Sequence, residues 1–313
     1  MRSFINRYAT RLGSLGFVTN SFVLIFSMLI VASSVFSQQD PQFSQNSFLK
    51  LPVNPGYAGM MGAFYATSVY RTQWVNFPGA PKTFLFCADA PLKLSNDSTG
   101  LARDGVGITF VDDRLGNFHF TNARASYSYH RPVGNVGLFG IGLEAGIIHL
   151  DSKAFDTIVP AFSGTTYDLG LGAYYHMTQC YVGFSVAHLP GNMEKMGASP
   201  FDYRVARHYY LMAGYTFFLS SRINAEPSVF VKSDAAVTTF DVNLKMIWNN
   251  FLWIGSSYRL QDAVVLMAGG TFQLFRASSL VRIGYAYDIG ISDLRAYHDN
   301  THEILISYSL KLK

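Results

Sequence analysis

The chain has 313 residues, of which 49% are hydrophobic, 15% aromatic and only 14% charged, and its formal net charge is +4 at pH 7. A soluble enzyme of this length usually carries about 25% charged residues, so the composition argues against that class. The small net charge argues against nucleic acid as a partner. Two cysteines, Cys87 and Cys180, cannot form a disulfide framework, and a single bridge between them stays open.

The first 37 residues have the pattern of a secretory signal peptide. Three arginines and no acidic residue precede an apolar run from Phe22 to Phe36. An uncleaved membrane anchor is the alternative, but the run is shorter than the roughly 20 apolar residues that span a bilayer. We expect cleavage between Ser37 and Gln38, which removes three arginines and leaves a net charge of 4 − 3 = +1.

The next segment, residues 38–61, has no regular periodicity. Pro52 and Pro55 exclude a regular helix, while Gly56 and Gly59 favour turns. By itself this pattern is compatible with a simple loop that leads into the first strand.

Residues 62–313 alternate apolar positions with polar or small ones, which is typical of strands separated by turns. The alternation predicts about 14 strands, an even number as in bacterial barrels. It is clearest at 123–130, 139–147, 168–175, 240–248, 281–288 and 303–312. It is weaker at 62–74, 82–90, 105–112, 178–188, 206–219, 222–232, 251–260 and 263–274. Longer exposed loops are predicted at 94–104, 151–165 and 190–205.

One face of these strands is apolar and carries tyrosine and tryptophan near strand ends, as at a lipid headgroup interface. A soluble β-sandwich also alternates, but the aromatic positions favour a transmembrane sheet. In lipid every backbone amide needs a partner, so the first strand must pair with the last. We therefore predict an all-β fold, a closed antiparallel transmembrane β-barrel over residues 62–313.

The opposite face carries charges of both signs, which predicts ion pairs in a filled lumen rather than the single-sign ring of an ion-selective pore. These residues are Glu144, Asp168, Glu226, Asp241, Lys245, Arg259, Arg282, Asp288 and Glu303. A barrel of about 14 strands is so wide that either something besides its own side chains or water must fill it. Segment 38–61 is therefore predicted to be a plug or, alternatively, a periplasmic extension.

Motifs of catalysis or cofactor binding are weak. Residues 140–145 match G-x-G-x-x-A, but a dinucleotide site needs a helix to follow, and the strand alternation continues instead. The eight histidines show neither helical pairing nor a C-x-x-C companion. We predict no catalytic, cofactor-binding or metal site, and a chain that is not an enzyme. The histidines are His119, His130, His149, His176, His188, His208, His298 and His302.

Short motifs near both ends of the chain resemble a known family. The first are Gln-Asp-Pro-Gln-Phe-Ser-Gln at 39–45, Asn-Pro-Gly-Tyr-Ala-Gly at 54–59, Tyr-Arg-Thr-Gln-Trp at 70–74 and Pro-Gly-Ala-Pro-Lys-Thr at 78–83. The last are Arg-Ile-Gly-Tyr-Ala-Tyr-Asp at 282–288, Ser-Asp-Leu at 292–294, Tyr297 and His-Glu-Ile at 302–304. Together they resemble the PorP/SprF family, outer-membrane proteins of the type IX secretion and gliding machinery of Bacteroidetes. The turn at 299–301, which is less rich in Gly and Ser than expected, leaves the subfamily open.

The resemblance implies an outer-membrane component that anchors periplasmic machinery or escorts secreted cargo to the cell surface. Its expected partners are periplasmic ring proteins or lipoproteins, cargo proteins and membrane lipid, with no cofactor and no nucleic acid. A passive pore for small solutes is the alternative, and an outer-membrane hydrolase is disfavoured. The candidate residues for partner binding or for the plug are Asp40, Pro41, Phe43, Asn54, Pro55, Tyr57, Gly59, Arg71, Trp74, Gly79 and Pro81.

Overall fold

The computed structural model describes residues 40–92, 103–134, 136–154, 161–191, 193–194, 203–274, 278–291 and 300–311. The predicted signal peptide and its cleavage site lie outside these residues, as do 94–102, 155–160, 192 and 195–202 of the three predicted loops. Of the second predicted loop, 151–152 and 162–165 lie in strands. Within them, no helix has the length and hydropathy required to span a bilayer.

Fourteen strands form the main sheet. They are β1 Phe64–Thr72, β2 Lys82–Leu92, β3 Arg103–Leu115, β4 Phe118–Val133, β5 Gly137–Ser152, β6 Phe162–His176, β7 Cys180–Ala187, β8 His208–Tyr215, β9 Ile223–Ser233, β10 Thr238–Trp248, β11 Leu252–Arg259, β12 Ala263–Gln273, β13 Ser279–Gly290 and β14 Thr301–Leu310. A two-residue strand, Phe217–Phe218, extends the edge beside β9, and Met193–Glu194 pairs separately with Tyr203–Arg204.

The sheet closes on itself. Each strand pairs antiparallel with its neighbours in the sequence, β8 pairs with β9, and β1 pairs with β14 from Phe64 opposite Leu310 to Thr72 opposite His302. Closure gives every strand two partners, as the hydrocarbon core requires. The predicted closed antiparallel barrel of about 14 strands is confirmed.

The two faces of the sheet differ as the alternation predicted. In β5, Ile141, Leu143 and Ile147 are exposed on the outer face, where lipid replaces water, whereas Glu144 is buried on the inner face. All nine charged residues assigned to the inner face are buried or half-buried. The inner face also has an apolar patch that the alternation did not predict.

That apolar patch belongs to a buried cluster formed with the N-terminal segment. Leu49 and Leu51 pack against Val69, Leu85 and Leu305, all of which point into the lumen. Apolar lumen positions are favourable here because the segment removes them from water.

The two ends of the barrel carry different connections. The end at which β1 finishes, which we call the loop end, carries the long connections 73–81, 153–161, 188–207 and 291–300 and the short turns 116–117, 234–237 and 260–262. The other end, which we call the turn end, carries the three-residue turns 134–136, 177–179 and 249–251 and the longer connections 93–102, 216–222 and 274–278. In outer-membrane barrels the short turns face the periplasm and the longer loops face outward.

Candidate functional site

The lumen is occupied by residues 40–61, which run from the loop end to the turn end before β1 begins. Two short 3-10 turns, Asn46–Phe48 and Pro55–Tyr57, give the segment its irregular path. Ser44, Gln45 and Asn54 are almost completely buried. Since loop backbone has no ladder partners of its own, its polar groups must bond to the barrel wall.

The first set of wall contacts lies at the seam between β1 and β14. Glu303 accepts the backbone N–H of Ser44 at 2.7 Å and that of Gln45 at 2.9 Å. Arg71 pairs with Glu303 at 3.2 Å and with Asp288 at 2.8 Å. The Ser44 hydroxyl donates to Asp288 at 2.6 Å and also contacts Arg71. Each buried charge therefore has both an ionic partner and a hydrogen bond, which offsets its desolvation.

The network continues around the wall to β10 and β11. Asp241 accepts from Asn46 Nδ2 at 2.8 Å and pairs with Arg259 Nε at 3.2 Å. Arg259 also reaches Asp288, at 3.5 Å. Three wall strands are thus connected through side chains that contact the segment.

Asp40, the first described residue, lies among imidazoles at the loop end. Its carboxylate is 3.0 Å from His188 Nε2, and the other ring nitrogen of His188 is 2.8 Å from Asp168. Lys232 Nζ donates to the Asp40 carbonyl at 2.7 Å. Burial raises the pKa of Asp40, but the neighbouring His188 and His208 outweigh it and hold this pKa well below its ordinary value.

The same residues offer a possible metal-ligand set. The carboxylate of Asp40 and the ring nitrogens of His188 and His208 lie within 4.8 Å of one another. Their hydrogen bonds to each other, to Asp168 and to Tyr210 already satisfy these groups. The sequence did not reveal the cluster because His188 is 148 positions from Asp40.

The Asn-Pro-Gly turn sits against a wall of glycines. Asn54 Oδ1 accepts the N–H of Gly56 at 2.9 Å, and its Nδ2 donates to the carbonyls of Ala173 at 3.0 Å and Phe184 at 3.2 Å. A Cβ added to Gly142 would lie 2.3 Å from the Pro55 carbonyl carbon. The glycines of the formal dinucleotide motif thus provide room for this turn, and no helix follows them.

The segment leaves the lumen at Gly59, which has a positive φ of 69° and donates its N–H to Asp89 at 2.8 Å. Just before it, Ser128 donates to the Ala58 carbonyl at 2.5 Å. Further back, Arg124 donates to the Pro52 carbonyl at 2.8 Å and pairs with Glu144 at 2.7 Å. These bonds tie the backbone of the segment to β2, β4 and β5.

The candidate residues divide into two groups. Eight of them come together in the lumen: Asp40, Pro41, Phe43, Asn54, Pro55, Tyr57, Gly59 and Arg71. The other three, Trp74, Gly79 and Pro81, lie in the connection from β1 to β2. There Gln73 donates its N–H to the Pro81 carbonyl at 3.0 Å, and Gly116 donates to that of Gly79 at 2.9 Å.

Comparison with known proteins decides the family. A model described as "Type IX secretion system membrane protein PorP/SprF" matches residues 35–308. The chain belongs to the PorP/SprF family. No curated protein matches its sequence.

Solved structures similar to this PorP/SprF chain are outer-membrane barrels. The Ralstonia pickettii toluene transporter TbuX superimposes with a TM-score of 0.53 at 10% identity, covering 83% of this chain and 92% of that one. The Pseudomonas putida toluene transporter TodX gives 0.50 at 10% identity, covering 88% and 96%. Its deltaS2 mutant, titled a monoaromatic hydrocarbon channel, gives 0.51 at 10% identity, covering 84% and 94%. At this identity the likeness concerns the fold alone.

Proposed function

We propose that this outer-membrane barrel serves type IX secretion as a rigid membrane anchor that binds periplasmic machinery or escorts secreted cargo to the surface. Its N-terminal segment would act as a plug, so the barrel would not be the conduit. The family match and the contacts of residues 40–59 across the lumen support this role. The signal peptide is expected to be removed after Ser37 during export.

The contacts of the segment are the observation that carries the proposal. Glu303 and Asp241 each accept hydrogen bonds from the segment, and Arg124 donates one to it. Removal of the segment would leave these lumen charges with fewer partners, which is costly in a buried site. A segment held in this way is suited to closing the barrel, and the end connections then remain for protein partners.

Conductance in planar bilayers tests the closed state. We expect the intact protein to be electrically silent and a deletion of residues 40–59 to conduct while it still forms a heat-modifiable barrel. Steady conductance by the intact protein would instead favour the alternative, a passive pore for small solutes.

Delivery of secreted cargo to the cell surface is measured in parallel. Asn54→Asp is a milder variant than the deletion, because it sets a carboxylate against two carbonyl oxygens that Asn54 now bonds. We expect it to displace the turn and reduce cargo delivery. Ile254→Val, at an exposed position on the lipid-facing side of β11, is the control and should behave as wild type. Normal delivery in both the deletion and Asn54→Asp would overturn the role proposed for the segment.

A further inference from the structure

The turn-end half of the lumen contains a cavity of about 710 Å³. Its walls come from the segment, through Phe48, Lys50 and Tyr57, and from inward-facing strand residues such as Lys245 and Arg282. Its volume falls within the range of about 300–1,000 Å³ that is typical of pockets for small organic ligands.

The described walls of the cavity carry three cations, Lys50, Lys245 and Arg282, and two carboxylates, Glu226 and Asp89, so positive charge is in slight excess. Lys245 pairs with Glu226 at 2.7 Å, but no carboxylate of the described residues lies within 4 Å of the charged groups of Lys50 or Arg282. Arg282 donates instead to the Thr271 hydroxyl at 3.3 Å. Burial, followed by the charge of Lys245, lowers the pKa of Lys50 to about 7. This is the opposite of the loop-end half, where the arginines described above have carboxylate partners.

Aromatic rings hold the three cations in place. Lys50 Nζ lies 3.6 Å from the ring centre of Tyr181, and Lys245 Nζ lies 4.2 Å from that of Phe48. The guanidinium carbon of Arg282 is 4.6 Å from the same Phe48 ring. Such contacts stabilise a cation without neutralising it. The cations of the cavity can therefore still pair with an anion.

We propose that this cavity binds a carboxylate on an aromatic or apolar stem, which enters from the turn end. Lys50 and Arg282 would pair with the carboxylate, while Phe48, Tyr57 and Trp253 would contact the stem. A free organic acid and the carboxyl-terminal end of a protein chain share this chemistry. The site does not depend on the proposed role in secretion.

Binding to the full-length protein in lipid nanodiscs tests the proposal. The probes are 3-phenylpropionate and the peptide acid acetyl-Gly-Gly-Phe, each compared by calorimetry with its carboxamide. We expect each acid to bind about tenfold more tightly than its amide, because only the carboxylate can form an ion pair with Lys50 and Arg282. Tighter binding of the peptide acid would indicate a protein terminus as the source, and tighter binding of phenylpropionate a free acid.

Variants show whether Lys50 and Arg282 cause the preference for acids over amides. Lys50→Met and Arg282→Gln should each reduce it, while Lys82→Gln, which removes an exposed cation at the loop end, should leave it unchanged. Glu226→Gln removes the carboxylate that pairs with Lys245, so it should strengthen acid binding even if the other variants fold poorly. Equal binding of acids and amides to the wild type, or no effect of Glu226→Gln, would overturn the proposal.

Discussion

Arg71 and Glu303 lie directly opposite each other where β1 pairs with β14, and Arg71 Nη1 is 3.2 Å from Glu303 Oε2 inside the lumen. The same carboxylate accepts the N–H groups of Ser44 and Gln45. The ion pair that joins β1 to β14 therefore also holds the N-terminal segment. Closure of the barrel and binding of the segment are thus coupled.

The variant Glu303→Gln tests this coupling. It leaves Arg71 with one carboxylate fewer in a buried site, and removal of one partner from a buried pair typically costs about 3–5 kcal/mol. We expect a lower temperature for loss of the compact form on gels and faster proteolysis of residues 40–59. The control is Asp234→Asn, which changes a half-buried carboxylate in the turn from β9 to β10. If both variants unfold at the wild-type temperature, the coupling is wrong.

The fit of the Asn-Pro-Gly turn predicts a strong effect of one methyl group. In Gly142→Ala the new Cβ would lie 2.3 Å from the Pro55 carbonyl carbon, so either the turn or β5 must move. Overpacking of this kind usually costs about 1–3 kcal/mol. In Gly255→Ala, also in a strand, the nearest atom is 3.3 Å away at the end of the flexible Met267 side chain. We expect thermal stability to fall only in the first variant, and an equal effect of the two would argue against a tightly seated turn.

The contacts of Asp40 predict where the segment loosens first. Asp40→Asn keeps the shape but loses the charge that faces His188, so backbone amides of residues 40–46 should exchange faster with deuterium while those of 54–59 stay protected.

Because its pKa is lowered, the Asp40 carboxylate contributes stability above its ordinary pKa of about 3.9 and loses it only as pH falls through the lower folded value. Asp151→Asn, an exposed carboxylate near His149, is the control. Unchanged exchange in residues 40–46 would show that this contact does not hold the segment.

The alternation of apolar and polar positions could be predicted from the sequence because each strand has lipid on one side and the lumen on the other. The residues that contact each other across the lumen could not be predicted in this way. Ser44 and Glu303 are 259 positions apart, and Asp40 and His188 are 148 apart, so no local pattern connects them. The strand alternation through 140–145 could be predicted, but the need for glycine at 140 and 142, which is the close approach of Pro55 and Gly56, depends on the segment in the lumen. Mixed charge predicted ion pairs in the lumen. Among the described residues, Arg282 and the segment residue Lys50 have no such pair, and they face an open cavity where water or a ligand can reach them.

Lys50 has no carboxylate partner among the described residues, which predicts that its removal stabilises the empty barrel. Lys245 and Arg282 are the like charges around it, and Glu226 opposes them. The described wall also carries other titratable groups, namely Asp89, His176, Tyr57, Tyr65, Tyr181, Tyr215, Cys87 and Cys180. Because the pKa of Lys50 is lowered to about 7 from an unfolded value near 10.5, the folded state bears the cost of its charge below pH 7.

That cost disappears as pH rises through 7 towards 10.5, where the folded protein has already lost the proton that the unfolded chain keeps. Lys50→Met should therefore raise the unfolding midpoint by about 2–4 °C at roughly pH 6, with a smaller gain at roughly pH 9. Thermal unfolding on gels at both pH values measures this, with Lys82→Gln as the exposed control. A gain that is equal at both pH values, or a loss of stability at the lower one, would contradict a half-buried cation that has no carboxylate partner among the described residues.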